Sequence, residues 1–195
     1  MILRLAPGFV FLCLAAALAT GASAATAGDE DGEQAAPHWI LTENSAFRVE
    51  TPPGREGLGA ALLDLCNQAR ASIARQTDVA IPFQVTVRWV ESTEEFHRRT
   101  GWRTESVVAA ASARQGRIWI HGPAWTRAGP AEALSILTHE YAHVVVGRLA
   151  PEPLPRWSEE GLAMSLSGQW TLGDALAATR AQVFGGLPPL ARIER

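Results

Sequence analysis

Hydrophobic positions recur along this chain with two periods, and the switches between them lay out its elements. Trp39-Ile40-Leu41 and Phe47-Arg48-Val49-Glu50 cluster or alternate as strands do, with Asn44-Ser45 as turn material between them. Pro52-Pro53-Gly54 ends that pair. From Leu58 to about Arg75 the apolar residues fall at Leu58, Leu62, Leu65, Ala69 and Ile73, spacings of three and four that predict a helix with one core-facing stripe. Phe83 to Val90 returns to period two, a strand. Ser92-Thr93-Glu94-Glu95 then caps a short helix carrying Phe96, with His97, Arg98 and Arg99 on its solvated face. Val107 to Ala113 and Ile118-Trp119-Ile120 read as a hairpin turning at Gln115-Gly116 and closed by His121-Gly122-Pro123.

Gly129-Pro130 opens a long helix, with proline in the first turn, where its missing N–H costs little. Ala133, Leu134, Leu137, Tyr141, Val144 and Val145 give that helix a broad apolar stripe, so most of it should be buried. Pro151, Pro153 and Pro155 force a break. Trp157 to Leu166 resumes as a second helix, which so short a break returns beside the first. Strands and helices together predict an α+β domain with a small, mainly antiparallel sheet against helices. No internal repeat is visible.

At 195 residues the chain is long enough for one domain with a proper core. Its beginning changes that picture. Arg4 followed by an apolar run from Phe9 to Leu18, and then Ala22-Ser23-Ala24, has the parts of a signal peptide over residues 1–24. The run is too short for a membrane span, which takes about twenty apolar residues. Residues 25–37 are polar and unpatterned and read as a flexible linker, leaving 38–195 as the domain. The expectation is an exported protein, periplasmic or extracellular, with no stable membrane insertion once the signal is removed. Outside the signal, Cys66 is the sole cysteine, which excludes a disulfide framework; its helical run marks it as a buried small hydrophobe. All 17 basic residues are arginine, the net charge is −3, and no basic tract interleaves with aromatics. Nucleic acid and anionic membranes are therefore not the expected partners.

The candidate chemistry lies on the long helix, at His139-Glu140-Tyr141-Ala142-His143. Two histidines four apart project from one helix face, one turn apart, and suit two ligands of a single zinc ion. The glutamate beside the first can then face a water and take its proton. Placing His139, Glu140 and His143 on so buried a helix costs desolvation, which a bound dication offsets. A third ligand has to come from elsewhere. Glu159 and Glu160 on the next helix lie about 100° apart, so only one of them can point at the ion.

His139–His143 followed by Leu154-Pro155-Arg156-Trp157-Ser158-Glu159-Glu160-Gly161-Leu162-Ala163 resembles the gluzincin metallopeptidases, in particular the bacterial peptidase MA-like domains. The resemblance covers roughly residues 40 to 190. It implies a zincin-like fold with the metal between two adjacent helices. It also places the third zinc-ligand role on Glu160, because that family's glutamate immediately precedes Gly in a W-x-x-E-G-x-A pattern. Glu159 is then a neighbouring acid. The implied activity is hydrolysis of peptide or protein substrates, with Zn2+ on His139, His143 and Glu160 and with Glu140 as general base. Two departures stand out: Ser165 lies where the family often has an aromatic, and the chain ends soon after Leu187-Pro188-Pro189-Leu190. No downstream Tyr or His offers an oxyanion donor; His121 and Arg156 are the candidates for that role. The alternative expectation is a non-catalytic exported domain of the same fold that binds zinc or a partner.

Overall fold

The computed structural model describes residues 39–104 and 106–170, so the expected signal peptide, the polar linker and the 187–190 segment lie outside the described residues. Five strands and five helices follow one another in this stretch. They are β1 (Ile40–Glu43), β2 (Phe47–Thr51), α1 (Glu56–Thr77), β3 (Val85–Val90), α2 (Thr93–Thr100), β4 (Ala109–Ser112), β5 (Arg117–His121), α3 (Gly122–Trp125), α4 (Pro130–Leu149) and α5 (Arg156–Ser167). The strands form one sheet in the order β1-β2-β3-β5-β4.

The α+β class holds, but the sheet is mixed rather than mainly antiparallel. β1 and β4 run antiparallel to their neighbours, whereas β2–β3 and β3–β5 are parallel. The reason lies in the connections. A hairpin turn can join only antiparallel strands, and a helix inserted between two strands carries the chain back to start the next one in the same direction. Here α1 intervenes between β2 and β3; after α2 the chain enters β4 running opposite to β3, and the β4–β5 hairpin turns it back parallel to β3.

Period-two alternation then decides which face is buried. Phe47, Val49, Val85, Val87, Ile118 and Ile120 point to one side, where α1 and α4 cover them with Leu62, Cys66, Ala69, Ile73, Leu137, Tyr141 and Val144. Burying Leu137 alone stabilises by about 1.5–3 kcal/mol. On α1 Cys66 is buried with Leu62, Ala69 and Ile73, while Leu65 is only partly buried. Burial pushes the Cys66 thiol up to about 12, so it stays protonated and serves as packing. On the opposite face Phe96 of α2 packs with Val90, Ala110 and Trp119 in a smaller cluster. Ser92 caps α2 as its sequence suggests, its hydroxyl accepting from the Glu95 N–H at 3.1 Å. Among the described residues no helix is long and apolar enough to cross a membrane.

Helix α4 packs on α1, β4 and α5 at once, and β4 is an edge strand. The closest approach is at Gly147, where an added Cβ would overlap that of Ala113 at the end of β4. Substituting Gly147→Val should therefore destabilise by about 1–3 kcal/mol through overpacking. The expected readout is a lower urea midpoint at unchanged slope; an unaltered midpoint would show that α4 and β4 are free to separate.

Candidate metal centre

One stripe of α4 (Ala133, Leu137, Tyr141, Val144 and Val145) faces the core. The neighbouring stripe carries His139, Glu140 and His143, all half-buried. The segment from Pro151 to Pro155 turns the chain, and α5 returns alongside with Ala163 buried in the joint. That docking brings Glu160 to the two histidines. Glu160 Oε2 lies 3.6 Å from His139 Nε2 and 3.5 Å from His143 Nε2, and the two Nε2 atoms are 3.1 Å apart.

These edges match a tetrahedral ion. With zinc–ligand bonds of about 2.0–2.1 Å, two ligands of a tetrahedral centre stand roughly 3.3 Å apart. Two imidazole nitrogens and a carboxylate oxygen at that separation are a donor set that could hold a metal ion. Among the described residues, His139, His143 and Glu160 are the group so arranged, and no fourth protein ligand joins them.

Electrostatics point the same way. Hydrogen bonding to His139 and His143 holds the Glu160 carboxyl well below the usual carboxylate range, against an opposing effect of burial. For His143, burial disfavours the charged ring, but Glu160, Glu140 and Glu159 together outweigh it and raise its pKa above the ordinary 6.5. Burial raises Glu140, with the Glu160 charge adding to it; the histidines and the backbone N–H of Ala111 on β4 oppose the rise. The pocket is thus rich in carboxylates and holds the His143 proton tightly. A dication supplies the positive charge that this proton otherwise provides.

Glu159 has a part that its position in the sequence did not reveal. Its Oε1 lies 3.2 Å from His143 Nδ1. Nδ1–H donating to that carboxylate leaves the Nε2 lone pair directed at the Glu160 side. The adjacent acids on α5, about 100° apart, therefore address opposite nitrogens of one ring. His139 has no such support among the described residues, where its Nδ1 is buried without a partner.

The two oxyanion candidates fare differently. His121 is buried on the other face of the sheet, stacked on Phe96, with Nδ1 3.0 Å from the Val107 carbonyl and Nε2 2.9 Å from Thr93 Oγ1. Both of its nitrogens are committed, and the structure places it away from the metal centre. Arg156 is exposed at the start of α5, its Nε 3.7 Å from Glu160 Oε1. Tyr141 packs inward as expected, against Phe47 at 5.0 Å, and burial pushes its phenol up to about 12. His97 belongs to α2 on the opposite face.

Comparison of the chain with protein-family models, with curated proteins and with solved structures gives no match.

Two outcomes are expected for metal binding. Glu159→Ala should weaken zinc affinity about 10–100-fold by freeing the His143 ring, and Glu160→Ala should weaken it further by removing a ligand. Competition against a chromophoric chelator measures both, and equal affinities for wild type and Glu159→Ala would remove Glu159 from the site. A proton must also leave His143 before Nε2 can bind a cation, so affinity should fall as pH falls. Because the pKa of His143 is raised in the metal-free protein, that fall should begin above the ordinary histidine range.

Proposed function

We propose that this protein is an exported zinc-dependent metallopeptidase of gluzincin type, with a zincin-like fold. The observation that carries the reading is the triangle of His139, His143 and Glu160, whose 3.1–3.6 Å edges fit tetrahedral zinc with one position left open. Closed structural zinc sites fill all four positions with protein ligands; catalytic ones keep a place for water. The described residues supply three. Zinc bound there would act as a Lewis acid, bringing the pKa of a water towards 7.

The remaining roles fall to the chain's own groups. Glu140, beside the triangle and raised by burial towards the working pH of a proton carrier, takes a proton from the attacking water and returns it to the leaving amine nitrogen. Glu159 fixes the His143 ring. Edge strand β4 has one side without a strand partner, and its Ala111 N–H faces Glu140. An extended peptide pairing along that edge would set its scissile carbonyl beside the same carboxylate, and backbone pairing of this kind asks little of the substrate's sequence. Arg156, at the rim next to Glu160, is the cation assigned to steady the developing oxyanion in this reading.

A second reading, a non-catalytic zinc- or partner-binding domain, draws on the commitment of His121 and Tyr141 elsewhere, which leaves the exposed Arg156 alone in the oxyanion role. One experiment separates the two. Wild-type protein loaded with zinc should cleave an unstructured protein such as casein, lose activity to a chelator and regain it with zinc. Glu140→Gln should keep one zinc per chain yet lower turnover by at least about 100-fold. Undiminished turnover in that variant would remove Glu140 as the base. A zinc-loaded wild type without turnover would favour the second reading.

A further inference from the structure

The sheet face turned away from α1 and α4 gathers arginines that lie far apart in sequence. Register places Glu43, Arg48, Thr86, Arg117 and Ser112 in one row across all five strands. In the next row stand Glu50, Arg88 and Trp119. Arg99 of α2 lies near enough to act on the same charges. Three of these guanidinium groups have carboxylate partners: Arg48 with Glu43 at 3.7 Å, Arg88 with Glu50, and Arg99 with Glu95 at 2.7 Å. Arg117 has none among the described residues. Its Nε is buried without any hydrogen-bond partner, as is that of Arg48.

An unpaired guanidinium in this setting is costly. Partial burial and the charges of Arg88, Arg99 and Arg48 all work against the Arg117 cation, with Glu50 alone in its favour. Hydroxyls flank it in its own row, Thr86 on one side and Ser112 on the other. On the Ser112 side of this row lies a groove of about 270 Å³, lined by Arg99, Trp102, Ser112, Gln115 and Trp119 among others. Guanidinium forks and hydroxyls around a surplus positive charge are the donors that a tetrahedral oxyanion accepts.

We propose that Arg117 anchors a binding site for the phosphate group of a small molecule, with the Ser112 and Thr86 hydroxyls and Arg99 as further donors. The site lies on the face opposite the metal centre and does not depend on the peptidase reading.

Titration of inorganic phosphate into metal-free protein, against chloride at equal ionic strength, tests this without any contribution from an ion at His139, His143 and Glu160. Calorimetry should show saturable phosphate binding that chloride does not reproduce. Arg117→Gln should lower the affinity at least tenfold while leaving zinc content and peptide turnover of the reloaded protein unchanged. A second variant keeps the test open should Arg117→Gln fail to fold. Thr86→Glu offers Arg117 an internal carboxylate, and should abolish phosphate binding while raising the thermal midpoint in phosphate-free buffer. Four results would overturn the proposal: unchanged phosphate affinity in folded Arg117→Gln, a Thr86→Glu protein that still binds phosphate, binding to phosphatidylglycerol vesicles but not to free phosphate, or phosphate binding gained only after Asp29, Glu30, Asp31 and Glu33 are neutralised. The last would identify the chain's own acidic stretch as the occupant.

Discussion

Helix α4 has to satisfy two environments at once, and the geometry of the candidate site depends on how it does so. Its apolar stripe is fixed against the sheet and α1 by Leu137, Tyr141 and Val144, each with almost no exposed surface. With that stripe pinned, the helix cannot rotate, and its 3.6-residue period fixes where His139, Glu140 and His143 emerge. They emerge in the seam between edge strand β4 and α5. A surface helix could let these side chains seek water, but this one holds them in a partly dry cleft. There an unpaired charge is expensive and a well-placed one is effective. Core packing, not the polar residues themselves, aims the ligands.

The second helix completes the site by a similar economy. Ala163 is the one residue of α5 fully buried in the joint, and its small side chain lets the helix axis come close to α4. Close approach matters because glutamate is short. From a more distant helix Glu160 would fall outside bonding range of an ion shared with the histidines. The same approach lets Glu159 reach the far nitrogen of His143. Two successive acids thus do unlike things because a helix turns about 100° per residue: one offers an oxygen to the ion's position and the other fixes the ring that faces it. Support is uneven, since among the described residues the His139 Nδ1 has no equivalent partner. His139 is accordingly held by packing along α4 alone, while His143 is held by packing and a charged hydrogen bond.

Most of the local structure was legible in the sequence because it is written in short-range signals. The Gly129-Pro130 start, the i, i+4 histidine pair, the proline break and the Ser92 cap each need only a few neighbouring residues, and each is found where the pattern places it. What escaped detection is long-range. Parallel pairing of β2, β3 and β5 depends on which strands end up adjacent, and a strand's own alternation is the same in either direction. Leu65 fits the helical stripe yet ends only partly buried, because the sheet lies beneath Leu62, Cys66 and Ala69. His121 looked available because nothing in sequence shows that Thr93 and Val107 occupy its two nitrogens. Short helix α3 follows it unannounced by any run of apolar residues. Arg48, Arg88 and Arg117 form no tract along the chain, so composition suggested no basic site; strand register assembles them.

That assembly gives the sheet two opposite electrostatic problems, one on each side. On the α4 side, Glu140, Glu159 and Glu160 surround two histidines, and the balance calls for a cation. On the outer side, Arg117 is left over after three arginines have taken three glutamates, and the balance calls for an anion. Neither imbalance can relieve the other. The sheet lies between them, and among the described residues no ion pair joins the arginine row to Glu140, Glu159 or Glu160. Further arginines at the rim of the metal centre, beside the exposed Arg156, would compete with the metal for Glu160 and lower the basicity of Glu140. Keeping them on the far face preserves a carboxylate-rich pocket where a dication can be held. It also leaves Arg117 without a carboxylate partner among the described residues.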